Sequence, residues 1–155
     1  MKYQIIFITS VLALFLTATK VGHSNSKPGL NLIVNTTGIA NYNGQLCARL
    51  YTNEVGFPMT KGAAIREIIF PLATLKSNSA KNMSFVFSNL SPAKYAVAIL
   101  HDKNNNLKIE LNPLGIPTEG TGTSLNVRPP FSAPTFSQSA FYLSTNATIQ
   151  IKLHY

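Results

Sequence analysis

One cysteine, Cys47, occurs in 155 residues. That excludes an intramolecular disulfide and leaves the fold to its hydrophobic core. Tryptophan is missing, so any aromatic ligand platform must be built from Tyr and Phe. No apolar run reaches the roughly 20 residues of a membrane-spanning helix; the longest, Ile5 to Leu16, is interrupted by Thr9 and Ser10. There is no run of basic residues and no interleaving of basic with aromatic residues, which argues against tracking along nucleic acid. A Gly-x-Ser-x-Gly nucleophile turn is absent, as is a glycine-rich loop ending in Gly-Lys-Ser/Thr. Helix signals are poor, with at most one turn over 61–66.

What is present begins with an export signal. Met1-Lys2 gives a positive start, Ile5 to Leu16 has the length of a signal h-region, and small residues follow. The expected organisation is a signal peptide over 1–26, cut within 19–26, and one domain over 27–155. The mature protein is then exported, periplasmic or secreted, and not an integral membrane protein. From Asn25 onward eleven Lys/Arg stand against five Asp/Glu, a net +6 carried by scattered single charges. Such a surface is solubilising, with weak attraction for anionic lipid or envelope polymer.

The hydrophobic period is two. Leu30, Leu32 and Val34 alternate with Asn31, Ile33 and Asn35; Leu46, Ala48 and Leu50 with Gln45, Cys47, Arg49 and Tyr51; Met83, Phe85 and Phe87 with Ser84, Val86 and Ser88; and Ile149, Ile151, Leu153 and Tyr155 with Thr148, Gln150, Lys152 and His154. Alternation of this kind describes antiparallel strands with one buried and one wet face. Asn43-Gly44 marks a turn before the second of these runs. Tyr95 to Leu100 is apolar on both faces and reads as a central strand covered on both sides. Ile65 to Phe70 and Phe141 to Leu143 complete the set, the latter pairing with the last strand through a turn at Thr145-Asn146. The expectation is an all-β chain: a single β-sandwich of about seven antiparallel strands. Cys47 is a strand residue with no His or Asp beside it in sequence. Ser77 to Asn82 reads as a polar loop tip.

One segment breaks this rhythm. After Leu100 comes His101-Asp-Lys-Asn-Asn-Asn-Leu-Lys-Ile-Glu110, then a Gly/Pro/Thr tract, and no obvious strand resumes until about Ser139. Connections this long are uncommon and tend to carry function. The tract's glycines are expected to supply positive φ in a folded-back loop. Glu119 is expected to anchor it against Arg128 or Lys108.

Four motifs occur in order: Glu54-Val-Gly-Phe-Pro58, Tyr95-Ala-Val-Ala-Ile-Leu-His-Asp102, Leu114-Gly-Ile-Pro-Thr-Glu-Gly120, and Pro129-Pro-Phe131 through Ala140-Phe141. In these the chain resembles the bacterial DUF2141 family of exported, functionally uncharacterised β-sandwich proteins, over roughly residues 30–155. The resemblance implies an architecture like the transthyretin-like and immunoglobulin-like sandwiches, and export across a bacterial inner membrane. It brings no activity.

The family's loop typically reads His-Asp-x-Asn-x-Asn-Gly-x-x-Asp. Here oxygen-bearing side chains at every second position resemble the start of a calcium loop, with Asp102, Asn104, Asn106, the Lys108 carbonyl and Glu110 as metal candidates. Leu107 stands where such a loop has Gly, and Pro113 where it has a bidentate Glu; Lys103 and Lys108 oppose the charge. Any Ca²⁺ site on this register is therefore weak, and the leading reading is that Asp102 and the asparagines satisfy loop backbone groups as Asx-turns.

The leading expectation is an exported cell-envelope binding or structural module, monomeric, recognising an envelope protein or polymer through the 102–138 loop. The candidate ligand-binding residues are His101, Asp102, Asn104, Asn106 and Glu119. A weak calcium module is the first alternative. A carbohydrate- or lipid-binding domain is the second, drawing on Tyr42, Tyr51, Phe57, Phe131 and Phe136. Enzyme activity is not expected: Ser124, His101 and Asp102 are the residue types a hydrolase needs, but His101 and Asp102 are strand neighbours facing opposite ways.

Overall fold

Two sheets face each other in the computed structural model, which describes residues 29–58, 60–75, 82–130 and 132–155. The expected signal peptide, most of the Ser77–Asn82 tip and Phe131 lie outside the described residues. Among the described residues there are eight strands: β1 (Leu30–Thr37), β2 (Gln45–Tyr51), β3 (Arg66–Pro71), β4 (Asn82–Leu90), β5 (Ala93–Asp102), β6 (Gly120–Thr123), β7 (Phe141–Leu143) and β8 (Ala147–Lys152). One sheet runs β4-β1-β8. The other runs β3-β2-β5-β6, with β7 also paired to β5. An all-β sandwich is therefore correct.

Alternation builds the core. Leu32 and Val34 of β1, Phe85 and Phe87 of β4 and Ile151 of β8 point inward from one sheet. Leu46, Ala48 and Leu50 of β2 and Val97 and Ile99 of β5 meet them from the other. The Leu, Val, Ile and Phe side chains each contribute about 1.5–3 kcal/mol on burial, and with a single cysteine in the sequence the domain relies on their number.

The strand partners differ from expectation in two places. β7 does not form a hairpin with β8; Ala93, Lys94 and Tyr95 of β5 take it as Leu143, Tyr142 and Phe141. The chain then crosses at 144–146 to the other sheet, where β8 pairs with β1 in parallel, Val34 opposite Ile149. Asn146 fixes the crossing by accepting the Asn31 N–H at 2.8 Å. Period two identifies a strand and its inner face but not its neighbour, and a three-residue segment carries little pairing information.

The second correction concerns the long connection. β6 lies inside it, with Gly120 to Thr123 antiparallel to β5. Gly-Thr-Gly-Thr lacks the apolar alternation that would have revealed it. Gly120 and Gly122 do not supply positive φ; only Gly115 of this tract does, at 77°. They allow close approach instead. A Cβ on Gly120 would sit 2.5 Å from the Tyr155 ring, and one on Gly122 would sit 2.7 Å from the Lys152 carbonyl oxygen. A single helical turn, α1 (Phe136–Ser139), closes the connection. It carries a capping box in which the Thr135 hydroxyl accepts from Gln138 N and the Gln138 side chain returns to Thr135 N.

The rest of the connection folds back over the outer face of the five-stranded sheet. Cys47, Arg49 and Tyr51 on β2 and Ala96, Ala98 and Leu100 on β5, which face away from the sandwich core, are all buried. Tyr95 to Leu100 is thus covered on both sides, as expected. The outer face of β2 was expected to be wet and is not. Its cover is a loop, and so left no periodic trace in the sequence.

Candidate functional site

The 102–119 segment is held from within. Asp102 ends β5 fully buried. Its Oδ2 accepts from Gln45 Nε2 at 2.7 Å and from Leu107 N at 2.8 Å, and its Oδ1 accepts from Asn106 N at 3.1 Å. Asn104 and Asn106 each accept, through Oδ1, the backbone N–H two residues on, at 3.1 and 2.8 Å. These are Asx-turns, in which a short side chain satisfies a backbone donor that the turn would otherwise strand. Leu107 adopts φ 64°, so the backbone makes the sharp turn even without glycine.

The amide nitrogens of Asn104 and Asn106 both donate to Glu110 Oε1, that of Asn104 at 2.9 Å. Glu119 sits opposite, only 4% exposed. Its Oε1 accepts from Lys103 N at 2.7 Å. The Glu110 and Glu119 carboxyl groups lie against each other. The Asn104 amide, the Glu119 contact and the Asn106 amide hold Glu110 below the usual carboxylate range. Burial pushes Glu119 up, with the Lys103 N–H pulling the other way. Glu119 thus anchors the loop through the Lys103 backbone, not through Arg128 or Lys108. Arg128 instead meets His154, with Nη1 3.0 Å from Nδ1.

His101 points to the other side of β5, into the end of the core, and is fully buried. Its Nε2 lies 2.8 Å from the Asn43 carbonyl and its Nδ1 lies 2.6 Å from the Tyr155 hydroxyl. The neutral ring satisfies both contacts by donating from Nε2 and accepting at Nδ1. Tyr155 Oη also accepts the Ala40 N–H at 3.0 Å. The Lys103 ammonium lies 5.2 Å from the centre of the Tyr155 ring. Burial pushes the His101 pKa below its ordinary 6.5, partly offset by the bond to the Asn43 carbonyl.

A His with a depressed native pKa binds its proton more readily unfolded. Its contribution to stability is complete above about pH 6.5 and is lost as the pH falls below that value. Urea midpoints should therefore be level above about pH 7 and fall as the pH drops below about 6.5. That slope should flatten in His101→Gln; an unchanged slope would assign it to other groups.

Ser124 is buried and committed. Its hydroxyl donates to the Ser139 carbonyl at 2.6 Å and accepts from Val97 N at 3.0 Å. It is not brought together with His101 or Asp102 in any bonded array. Of the aromatic candidates, Tyr51 is buried and Tyr42, Phe57 and Phe136 are half-buried. Phe57 stacks edge-on between Tyr51 and Phe136, at 5.2 and 6.0 Å. Tyr51, Phe57 and Phe136 thus pack on one another, while Tyr42 packs against the core.

The feature that sequence reasoning missed is a groove of about 510 Å³. The outer face of β2, β5 and β6 forms its floor. One wall contains Ile109, Leu114 and Ile116, the other Val127 and the prolines 129, 130 and 134. Arg128, Lys152 and His154 bring basic groups to it. Leu114 is 82% and Ile116 55% exposed. The available signal was three large apolar residues, Leu111, Leu114 and Ile116, in a loop that builds no strand. Asn126 fixes the second wall to β8, its side chain donating to the Gln150 carbonyl at 3.1 Å and accepting from Lys152 N at 2.8 Å.

Among the described residues no three His, Cys, Asp or Glu side chains gather closely enough to hold a metal ion by themselves. No helix among them is long and apolar enough to cross a membrane. A family model described as "Uncharacterized protein conserved in bacteria (DUF2141)" matches residues 34–151. No curated protein and no solved structure matches the chain.

Proposed function

We propose that this chain, which belongs to the DUF2141 family, is an exported cell-envelope binding module that takes its ligand in the groove beneath the 102–138 loop. The observation that carries this reading is the groove itself. It is an apolar trough on a built floor, with exposed Leu114 and Ile116 at its mouth and Arg128 and Lys152 beside it. Exposed apolar side chains gathered at a concave site mark binding surfaces. The export reading rests on the positive start and the Ile5–Leu16 apolar run.

The ligand class follows from the lining. Packed aromatics and a mostly aliphatic wall suit a hydrocarbon chain better than a sugar ring, whose hydroxyls need a row of polar partners. The basic groups and the net +6 from Asn25 onward suit an acidic head. The ligand is thus an anionic amphiphile of the fatty-acid or phospholipid kind.

A dansyl-labelled fatty acid should bind the protein with enhanced, blue-shifted fluorescence. Leu114→Asp and Ile116→Asp should each weaken binding about tenfold or more, the value of 1.4 kcal/mol, without lowering the melting temperature. Arg128→Ala should weaken binding of the acid but not of the corresponding alcohol. Unchanged affinity in both aspartate variants would remove the groove as the site. Binding of an envelope peptide in place of the fatty acid would keep the surface and change its occupant.

A further inference from the structure

Two carboxyl oxygens near the groove have no donor. Glu110 Oε2 and Glu119 Oε2 are both shielded from solvent and accept no hydrogen bond, while their carboxyl groups lie against each other. Glu119 is 96% buried. Buried acceptors without partners are rare, because each forfeits its hydration with nothing in return. Here the two carboxyl groups also face each other, with Glu110 held down and Glu119 pushed up. The nearby side-chain amides and the Lys103 N–H are already committed, which leaves the two carboxyl groups only each other and the Glu110 N–H. The Asn104 and Asn106 amide nitrogens go to Glu110 Oε1, and Lys103 N goes to Glu119 Oε1. The Lys103 ammonium is placed over Tyr155 and near the Thr118 carbonyl, at 3.4 Å from the latter.

We propose that the Glu110–Glu119 pair is a calcium site, the ion lying between the two orphan oxygens. A hard cation accepts a mixture of carboxylate, amide, carbonyl and water oxygens, which suits a place with two carboxylates and no third acidic or His ligand. Asn104 and Asn106 use one lone pair of Oδ1 on the backbone and retain the other. Around the pair the loop already has the conformation such ions require. Asp102 takes the N–H groups of Asn106 and Leu107, and Leu107 holds φ 64° at the turn that calcium loops give to glycine.

Glu119 enters from the start of β6 and supplies the second carboxylate that the contiguous loop lacks at Pro113. The ion would thus cross-link the two ends of the 102–119 segment. The site stands apart from the groove's ligand, and either can exist without the other.

The test uses the full chain stripped with EDTA. Calorimetric titration with CaCl₂ should show one saturable site, with a dissociation constant on the order of 10⁻⁴–10⁻³ M as in extracellular modules. The melting temperature should climb with calcium concentration beyond that value. MgCl₂ should bind at least tenfold more weakly. Glu119→Gln should abolish both the heat and the shift. Should Glu119→Gln fail to fold by circular dichroism, Glu110→Gln carries the test, with at least a tenfold loss expected. Absence of heat and thermal shift up to about 10 mM, ten times the weak end of such sites, would overturn the proposal. So would parent-like binding by the Gln variants. A melting temperature that responds to acid but not to calcium would show that the pair shares a proton instead.

Discussion

Replacing Arg49 with Ala should cost about 3–5 kcal/mol of folding stability, the range for breaking a buried ion pair by removing one partner. Arg49 is 1% exposed, and its Nε donates to Glu67 Oε1 at 2.8 Å. The two residues stand directly opposite each other on β2 and β3. The guanidinium also donates through Nη2 to the Leu107 carbonyl at 2.8 Å. One side chain therefore ties an edge strand and the folded-back loop to the centre of the sheet. Alanine leaves Glu67, itself 18% exposed, without this partner, leaves the Leu107 carbonyl bare and opens space under the loop. Lysine restores a charge but not a planar fork that reaches two acceptors, so Arg49→Lys should recover only part of the loss. Urea unfolding at neutral pH checks this, with the midpoint falling and the slope unchanged if the native state stays two-state. A loss below about 1 kcal/mol, the ceiling typical of exposed pairs, would mean that solvent reaches Arg49.

Gly44→Ala should be comparably damaging, through sterics in place of charge. Gly44 has φ 72°, and a Cβ built there falls 2.0 Å from the Asp102 carbonyl oxygen and 2.6 Å from Lys103 Cα. Both obstacles are backbone and cannot rotate away. The left-handed conformation alone costs a side chain roughly 1–2 kcal/mol. Overpacking adds typically about 1–3 kcal/mol. Against a total stability of roughly 5–15 kcal/mol, the variant should show a sharply lower melting temperature. Asp102 is where β5 hands over to the loop, so proteolysis should become fast between 102 and 119 before the rest of the chain opens. Gly62→Ala is the control: a Cβ there meets nothing within 4 Å, and its melting temperature should stay near the parent's. A Gly44→Ala protein as stable as the parent would show that β2 and the loop start are not in close contact.

The sequence discloses strands far better than it discloses what covers them. Met83, Phe85 and Phe87, or Leu46, Ala48 and Leu50, announce both strand and inner face because the pleat imposes a period of two. The unbroken run Tyr95 to Leu100 announces a second cover without saying what it is. Arg49 was read as a wet residue because a folded-back loop has no period. The pairing of β7 with β5 and of β8 with β1 depends on long-range packing that no local pattern encodes.

In the site, the Asx-turn residues Asp102, Asn104 and Asn106 were legible from their spacing. Leu107 was not, since a positive φ in a residue with a Cβ is imposed by its surroundings. Glu119 was recognisable as a loop anchor, but its meeting with Glu110 depends on a return path through Pro113, Gly115 and Pro117. Thr135-x-x-Gln138 has the spacing of a capping box, a local pattern that marks the start of α1.

The parallel pairing of β1 with β8 also sets an order of events. Leu32 faces Ala147 and Thr37 faces Lys152, so the first strand waits for almost the last residues before its sheet can close. Closing so large a loop costs entropy before any contact repays it, and folds dominated by distant pairings assemble slowly. Until the C-terminal strand arrives, β1 has only β4 beside it and one flank unpaired. A chain cut before Ala147 should therefore stall as a sticky, partly formed species, and the complete chain should stay pliable until its final segment is available.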